Sequence, residues 1–157
     1  MIKRKMVHLA ALGAAVLVGL GAVADAQTNI GDVIAKRQES MKANGAAMKT
    51  LTPIVRGDAP WDQAAATKAA MALADTGKAL PQAFPQGSGP DAGKTAALPV
   101  IWQQWSDFQA KSKALADEGS KLTTLAQAND QAGFKVQFAN VGKACGGCHE
   151  TYRQKQN

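Results

Sequence analysis

Apolar positions recur at alternating spacings of four and three over two long stretches of the chain. Between about Val100 and Ala128, the line holds Ile101, Trp105, Phe108, Ser112, Leu115, Gly119, Leu122 and Ala126. Between about Asp130 and Arg153 it holds Phe134, Phe138, Val141, Cys145, Cys148 and Tyr152. Sustained spacing of this kind turns one face of a helix toward a partner. Upstream, a helix is predicted from about Ile30 to Leu51, with Ile34, Met41 and Met48 on a seven-residue stripe that Arg37 or Gln38 and Gly45 complete. Pro53 is predicted to end it and Asp58 to cap the next helix, with Pro60 near its start. That next helix spans about Trp61 to Leu80, with a mostly small inward face of Ala64, Ala65, Met71 and Ala74. Pro81, Pro85, Pro90 and Pro99 then mark a long surface connection. With no alternating Val/Ile/Thr-rich run, four such helices predict an all-α fold, an antiparallel four-helix bundle.

Ahead of the helices, Lys3, Arg4 and Lys5 precede an apolar run from about Leu9 to Val23 and then Ala24-Asp25-Ala26. A basic start, a short apolar stretch and a small-x-small site read as a secretory signal peptide over residues 1–26, cleaved after Ala26. The run is too short and too rich in Ala and Gly for a membrane span, which takes about 20 predominantly apolar residues. Of the 157 residues, 131 then remain, residues 27–157, enough for one domain with a real core. That domain is expected in the periplasm, with no membrane span of its own.

Cleavage also changes the charge. The full chain has 18 basic and 12 acidic residues and a net charge of +6; without Lys3, Arg4, Lys5 and Asp25 these become 15, 11 and +4. The basic residues are scattered, with no Arg/Lys block and no aromatic interleaving, which argues against nucleic acid as a partner. A mild preference for acidic partners is the most this supports.

Chemistry concentrates in "KACGGCHETYRQKQN", which holds the only two cysteines, Cys145 and Cys148, and His149. Three residues apart on a helix, the cysteines share a face and continue the buried stripe, with His149 beside them. A Cys-x-x-Cys redox pair usually sits at the N-terminal end of a helix after a strand, where the dipole lowers a thiol pKa. Here the pair falls late in the last helix. Structural zinc normally takes four Cys or His ligands, and once His8 is cleaved away the count stops at three. A disulfide across so short a loop constrains little and leaves the histidine without a role. Cys-x-x-Cys-His as a covalent haem c attachment uses all three: two thioethers and a proximal iron ligand. Gly146 and Gly147 cost a helix about 1 kcal/mol each relative to Ala, which a flat macrocycle lying against the backbone would offset. Hydrolytic or group-transfer chemistry has no constellation to run on, so no enzyme activity is expected. A thiol-disulfide oxidoreductase using Cys145 and Cys148 is the alternative from another class. Trp61, Trp102 and Trp105 read as packing or interface residues, with Trp102 one step off the stripe, where a second subunit could lie.

"VGKACGGCHETYRQK" near the C-terminus, together with "RQESMKANGAAMKTL" in the first helix, resembles the class II c-type cytochromes, cytochrome c prime and its low-spin relatives. The resemblance covers essentially the whole cleaved chain. It implies a four-helix bundle enclosing one covalent haem per chain, with His149 as proximal iron ligand and Met41 at the distal first-helix position. It also implies that Arg37 and Gln38 contact haem propionates and that Arg153 stands beside the proximal histidine. Because class II cytochromes often dimerise through their first two helices, a homodimer is compatible with it. Members differ at the sixth iron position. A methionine thioether raises the potential and suits electron transfer, so the expectation is a one-electron carrier ligated by Met41 and serving redox partner proteins. The alternative is a five-coordinate cytochrome c prime that binds nitric oxide or carbon monoxide while Met41, like Met48, only packs.

Overall fold

The computed structural model describes residues 29–155. The signal-peptide reading of residues 1–26 therefore lies outside the described residues. Four long helices, α1 (Ile30–Arg56), α2 (Gln63–Ala79), α4 (Trp105–Gln127) and α5 (Gln131–Tyr152), form the expected antiparallel bundle, with a one-turn helix α3 (Val100–Gln103) leading into α4. The starts of α1, α2 and α5 follow from capping chemistry. Asn29 accepts from the Gly31 N–H at 2.9 Å, Asp62 from Ala65 and Asp130 from Gly133. Their ends use left-handed residues, Gly57 at φ 84° after α1 and Asn129 at φ 56° after α4.

Two boundaries differ from expectation. α1 does not stop before Pro53 but carries it to Arg56, because a proline so close to the end removes only one donor and disturbs only the last turn. Carbonyls at the helix end are used by the turn: Pro53 O accepts from Asp58 N at 2.9 Å and Ile54 O from Gly57 N at 3.3 Å. Asp58 is thereby spent in closing α1, and Asp62, not Asp58, caps α2.

The stripe drawn along α3 and α4 is the observed one: Ile101 of α3 and Phe108, Ser112, Leu115, Gly119, Leu122 and Ala126 of α4 are buried, and Trp105 half-buried. That of α2 is rotated. Ala66, Ala69, Ala70, Leu73, Ala74 and Gly77 face the core, whereas Ala64 is exposed and Met71 is 46% exposed. Close approach to α4 sets this rotation. A Cβ at Gly119 would lie 2.7 Å from Ala74 N, and one at Gly77 would collide with the backbone of Ala116. Ser112 Oγ closes the same seam by donating to Gly77 O at 2.7 Å.

The connection between α2 and α3 is more than a surface loop. Leu80, Phe84 and Ser88 are buried, and Phe84 packs edge-on against Phe108 with ring centroids 4.9 Å apart. Trp102 is spent here too: its indole N–H donates to Phe84 O and Pro85 O, each at 3.1 Å, which gives it a role inside the chain. Around the bundle α1 packs on α2, α2 on α4 and α4 on α5, while α1 and α5 touch least.

Candidate functional site

α5 supplies one wall of the α1/α5 gap. Cys145 and Cys148 are free thiols, half-buried and packed on the core, alongside partly buried Met41, Met48, Phe138 and Ala144. Burial pushes both thiols above their ordinary pKa, opposed at Cys148 by Lys111 and reinforced there by Cys145 and Asp107. Such thiols stay protonated at neutral pH, the reverse of what a disulfide oxidoreductase needs. Burial, with the Arg153 charge adding, holds the His149 pKa below its ordinary value, so the imidazole is neutral and its lone pair free to bind a metal. Among the described residues no three His, Cys, Asp or Glu side chains gather as a bare metal ion would require.

The glycines of this region behave unlike those of the α2–α4 seam. A Cβ on Gly142, Gly146 or Gly147 would meet nothing within 4 Å, and the same holds for Gly45 across the gap on α1. No protein neighbour demands glycine at these places. Two thiols one turn apart, a neutral imidazole beside the second and a side-chain-free strip of helix fit a flat macrocycle joined through two thioethers, with iron held by the histidine.

The facing wall is α1. Ile34 and Arg37 are buried and Met41 half-buried on its inner face, and the Asn44 Oδ1 is buried there with no hydrogen-bond partner. At one end of the gap Arg56 of α1 and Lys135 of α5 line one cavity of about 330 Å³. At the other, Arg37 and Gln38 reach Thr95 and Lys94, while Ala97 pairs with Arg153. The antiparallel register read from both ends puts Met41 about level with His149, and Met48 about two turns away near Gly142.

The model of the family described as Cytochrome C' matches residues 32–153, nearly all of the described chain. The chain belongs to the cytochrome c prime family. A cytochrome c-556 of Agrobacterium tumefaciens is 37% identical over 78% of this chain and 98% of its own length. A cytochrome c' of Rhodopseudomonas palustris is 36% identical over 96% and 98%. Among solved structures, a nitric oxide complex of a variant cytochrome c prime from Alcaligenes xylosoxidans superposes with a TM-score of 0.74 at 29% identity, covering 82% of this chain and 98% of that one. The cofactor is haem c with its iron, and the family is one of monohaem electron-carrying or gas-binding proteins.

Within this cytochrome c prime scaffold the sequence-predicted residues fall into two groups. Cys145, Cys148 and His149 share the last turns of α5, with Met41 opposite. Arg37 and Gln38 engage protein partners: Arg37, 4% exposed, donates from Nη1 to Ser88 Oγ at 2.8 Å and from Nη2 to Ser88 O and Thr95 Oγ1 at 2.6 and 2.9 Å. Its guanidinium also lies 4.7 Å over the Phe84 ring. Gln38, exposed, donates to Lys94 O at 2.9 Å. Ser88 and Thr95 were not signalled by any motif; the buried Arg37 was the only hint that acceptors had to be found for it.

Tyr152 was read from the stripe as core, and it is buried, but its hydroxyl has work as well. Oη donates to Asp107 Oδ2 at 2.6 Å, tying the end of α5 to the start of α4. Burial first, then the bond to Asp107, push this phenol up to about 12. Because the folded value lies above the unfolded one near 10, the stability it confers is present below pH ~10 and is lost as pH rises toward 12. As the chain's single tyrosine, it is expected to show no tyrosinate absorbance until the pH nears 12, and Tyr152→Phe to flatten this part of the alkaline stability loss. An onset near pH 10 would show that the buried contact with Asp107 does not persist in solution.

Proposed function

We propose that the protein is a periplasmic monohaem cytochrome c prime in which His149 would be the sole protein ligand to the iron and a small diatomic, nitric oxide or carbon monoxide, would bind on the side toward Met41. The match to cytochrome c prime over nearly the whole helical domain carries this reading, and one of its solved relatives is a nitric oxide complex. The haem supplies an iron that binds such ligands when reduced. Cys145 and Cys148 fix the macrocycle by thioethers, and His149 presents a neutral nitrogen. Met41 crowds the opposite face as an apolar screen that admits only small molecules. Arg37, which pairs with no carboxylate among the described residues, keeps its charge despite burial and would meet a haem propionate as counter-ion. The basic, then apolar, then small-residue leader accounts for export.

A second reading has one observation of its own. Met41 is half-buried and about level with His149, and a thioether there could bind the iron and make a low-spin one-electron carrier. Carbon monoxide separates the two. On the first reading the reduced wild-type protein is high-spin and takes up carbon monoxide directly, and Met41→Ala speeds uptake about tenfold, or ~1.4 kcal/mol off the barrier. A low-spin wild type, inert to carbon monoxide until Met41 is replaced, would instead establish the electron carrier.

A further inference from the structure

Among the described residues no hydrogen bond runs directly from α1 to α5, although these helices carry the two faces of the haem site. A five-residue segment, Lys94 to Leu98, bridges them. On its α1 side, Thr95 Oγ1 accepts from Arg37 Nη2 at 2.9 Å, and Lys94 O accepts from Gln38 at 2.9 Å. On its α5 side, Ala97 pairs antiparallel with Arg153, Leu98 N donates to Tyr152 O at 3.0 Å, and Gln154 N donates to Ala96 O at 2.8 Å. The two halves meet in one atom. The same Thr95 hydroxyl that accepts from Arg37 also accepts from the Ala97 N–H at 3.2 Å, which orients Ala97 for its pairing with Arg153. Arg153 in turn donates its N–H to His149 O at 3.2 Å. Hydrogen bonds joined by short stretches of backbone thus lead from Arg37, one turn before Met41, to the carbonyl of the proximal histidine; Ala97 and Arg153 face each other, and the bonds that flank them, Leu98 N to Tyr152 O and Gln154 N to Ala96 O, hold the pair.

We propose that Thr95 is a positioning residue for the haem: through one hydroxyl it sets the spacing of α1 and α5, and so couples the Met41 face to the orientation of His149. Several features make the segment a stiff strap. Arg37 is held on two further sides by Ser88, which is fully buried, and by the Phe84 ring. The α5 end is fastened independently by Tyr152 to Asp107. A displacement of α1 has to bend this strap or break it, and either moves the last turn of α5.

The test uses the oxidised haem-loaded protein and two readouts that work whichever ligand occupies the sixth iron position: the hyperfine-shifted haem-methyl proton resonances, which follow the His149 ring orientation, and amide exchange at Gln154. Thr95→Val, nearly isosteric but without the hydroxyl, is expected to shift the methyl pattern and speed Gln154 exchange about tenfold. Thr95→Ser keeps both as in the wild type. Arg37→Gln, a change on α1, reproduces the Thr95→Val effects on the α5 side. The proposal is overturned if Thr95→Val leaves the methyl pattern unmoved, if Thr95→Ser disturbs it as much as valine does, or if Arg37→Gln alters nothing at Gln154. Should Arg37→Gln fail to fold, the valine and serine pair decides alone. The idea rests on haem attached at Cys145 and Cys148, not on which ligand faces Met41, so carbon monoxide uptake tests the proposed function separately.

Discussion

Replacing Cys145 and Cys148 together by alanine is expected to abolish the haem signal that survives denaturing electrophoresis. With one thioether proposed at each thiol, either single variant would keep a covalent link and the double variant would keep none. His149 could still bind haem non-covalently, but that haem leaves when the chain unfolds. The loss should reach the fold, because α1 and α5 pack little against each other and a haem held at Cys145 and Cys148 would supply apolar surface between them. A ligand that binds only the folded state stabilises it by mass action, and one that is tethered cannot be diluted away. The double variant should therefore unfold at a markedly lower temperature than the wild type, with early amide exchange along α1 and the C-terminal half of α5 and later exchange along α2 and α4. A haem stain unchanged in the double variant would refute the attachment outright.

Gly77→Ala is expected to be strongly destabilising. Its Cβ would lie 2.7 Å from the Ala116 Cα, with the Ala116 backbone nitrogen closer still. Backbone on an opposing helix cannot rotate aside, so α2 and α4 must part. Overpacking of this kind costs about 3 kcal/mol, well above the ~1 kcal/mol that alanine gains over glycine in a helix. For a domain of this size the net loss is expected to lower Tm by about 8 °C. Gly146→Ala is the control, since its Cβ meets no protein atom. In the haem-free chain it should stabilise α5 slightly, and only in the haem-loaded protein can it do harm. Equal losses from the two substitutions in haem-free protein would show that the seam is looser than drawn.

Much of this was legible in the residues, for identifiable reasons. The α4 stripe could be read because large apolar residues such as Ile101, Phe108 and Leu122 alternate with charged ones, giving the 3.6-residue period strong contrast. α2 offers no such contrast. Alanines lie all round it, so Met71 looked like the natural anchor, whereas the face is chosen by how closely Gly77 and Ala74 let α4 approach. Phe84 and Ser88 were hidden among prolines that signal a loop without saying whether it is covered. Cys145, Cys148 and His149 were read as a set because covalent haem attachment gives each of the three a role. The partners of Arg37 lie 51 and 58 residues away, and no local pattern encodes a contact across that distance. The role of Met41 is hidden for a different reason: packing and ligation ask for the same side chain at the same height.

The seam of Gly77, Ala74, Ala116 and Gly119 has a bearing on inheritance as well as on stability. Because the close backbone approach of Gly77 and Gly119 joins α2 and α4, the side chains on the inner face of α1 are released from the task of holding the helices together. A lineage can then exchange one apolar side chain for another at the position of Met41, trying a new chemistry at the metal, while the architecture passes unchanged to its descendants. Relatives called cytochrome c' and cytochrome c-556 are each more than a third identical in sequence to this chain.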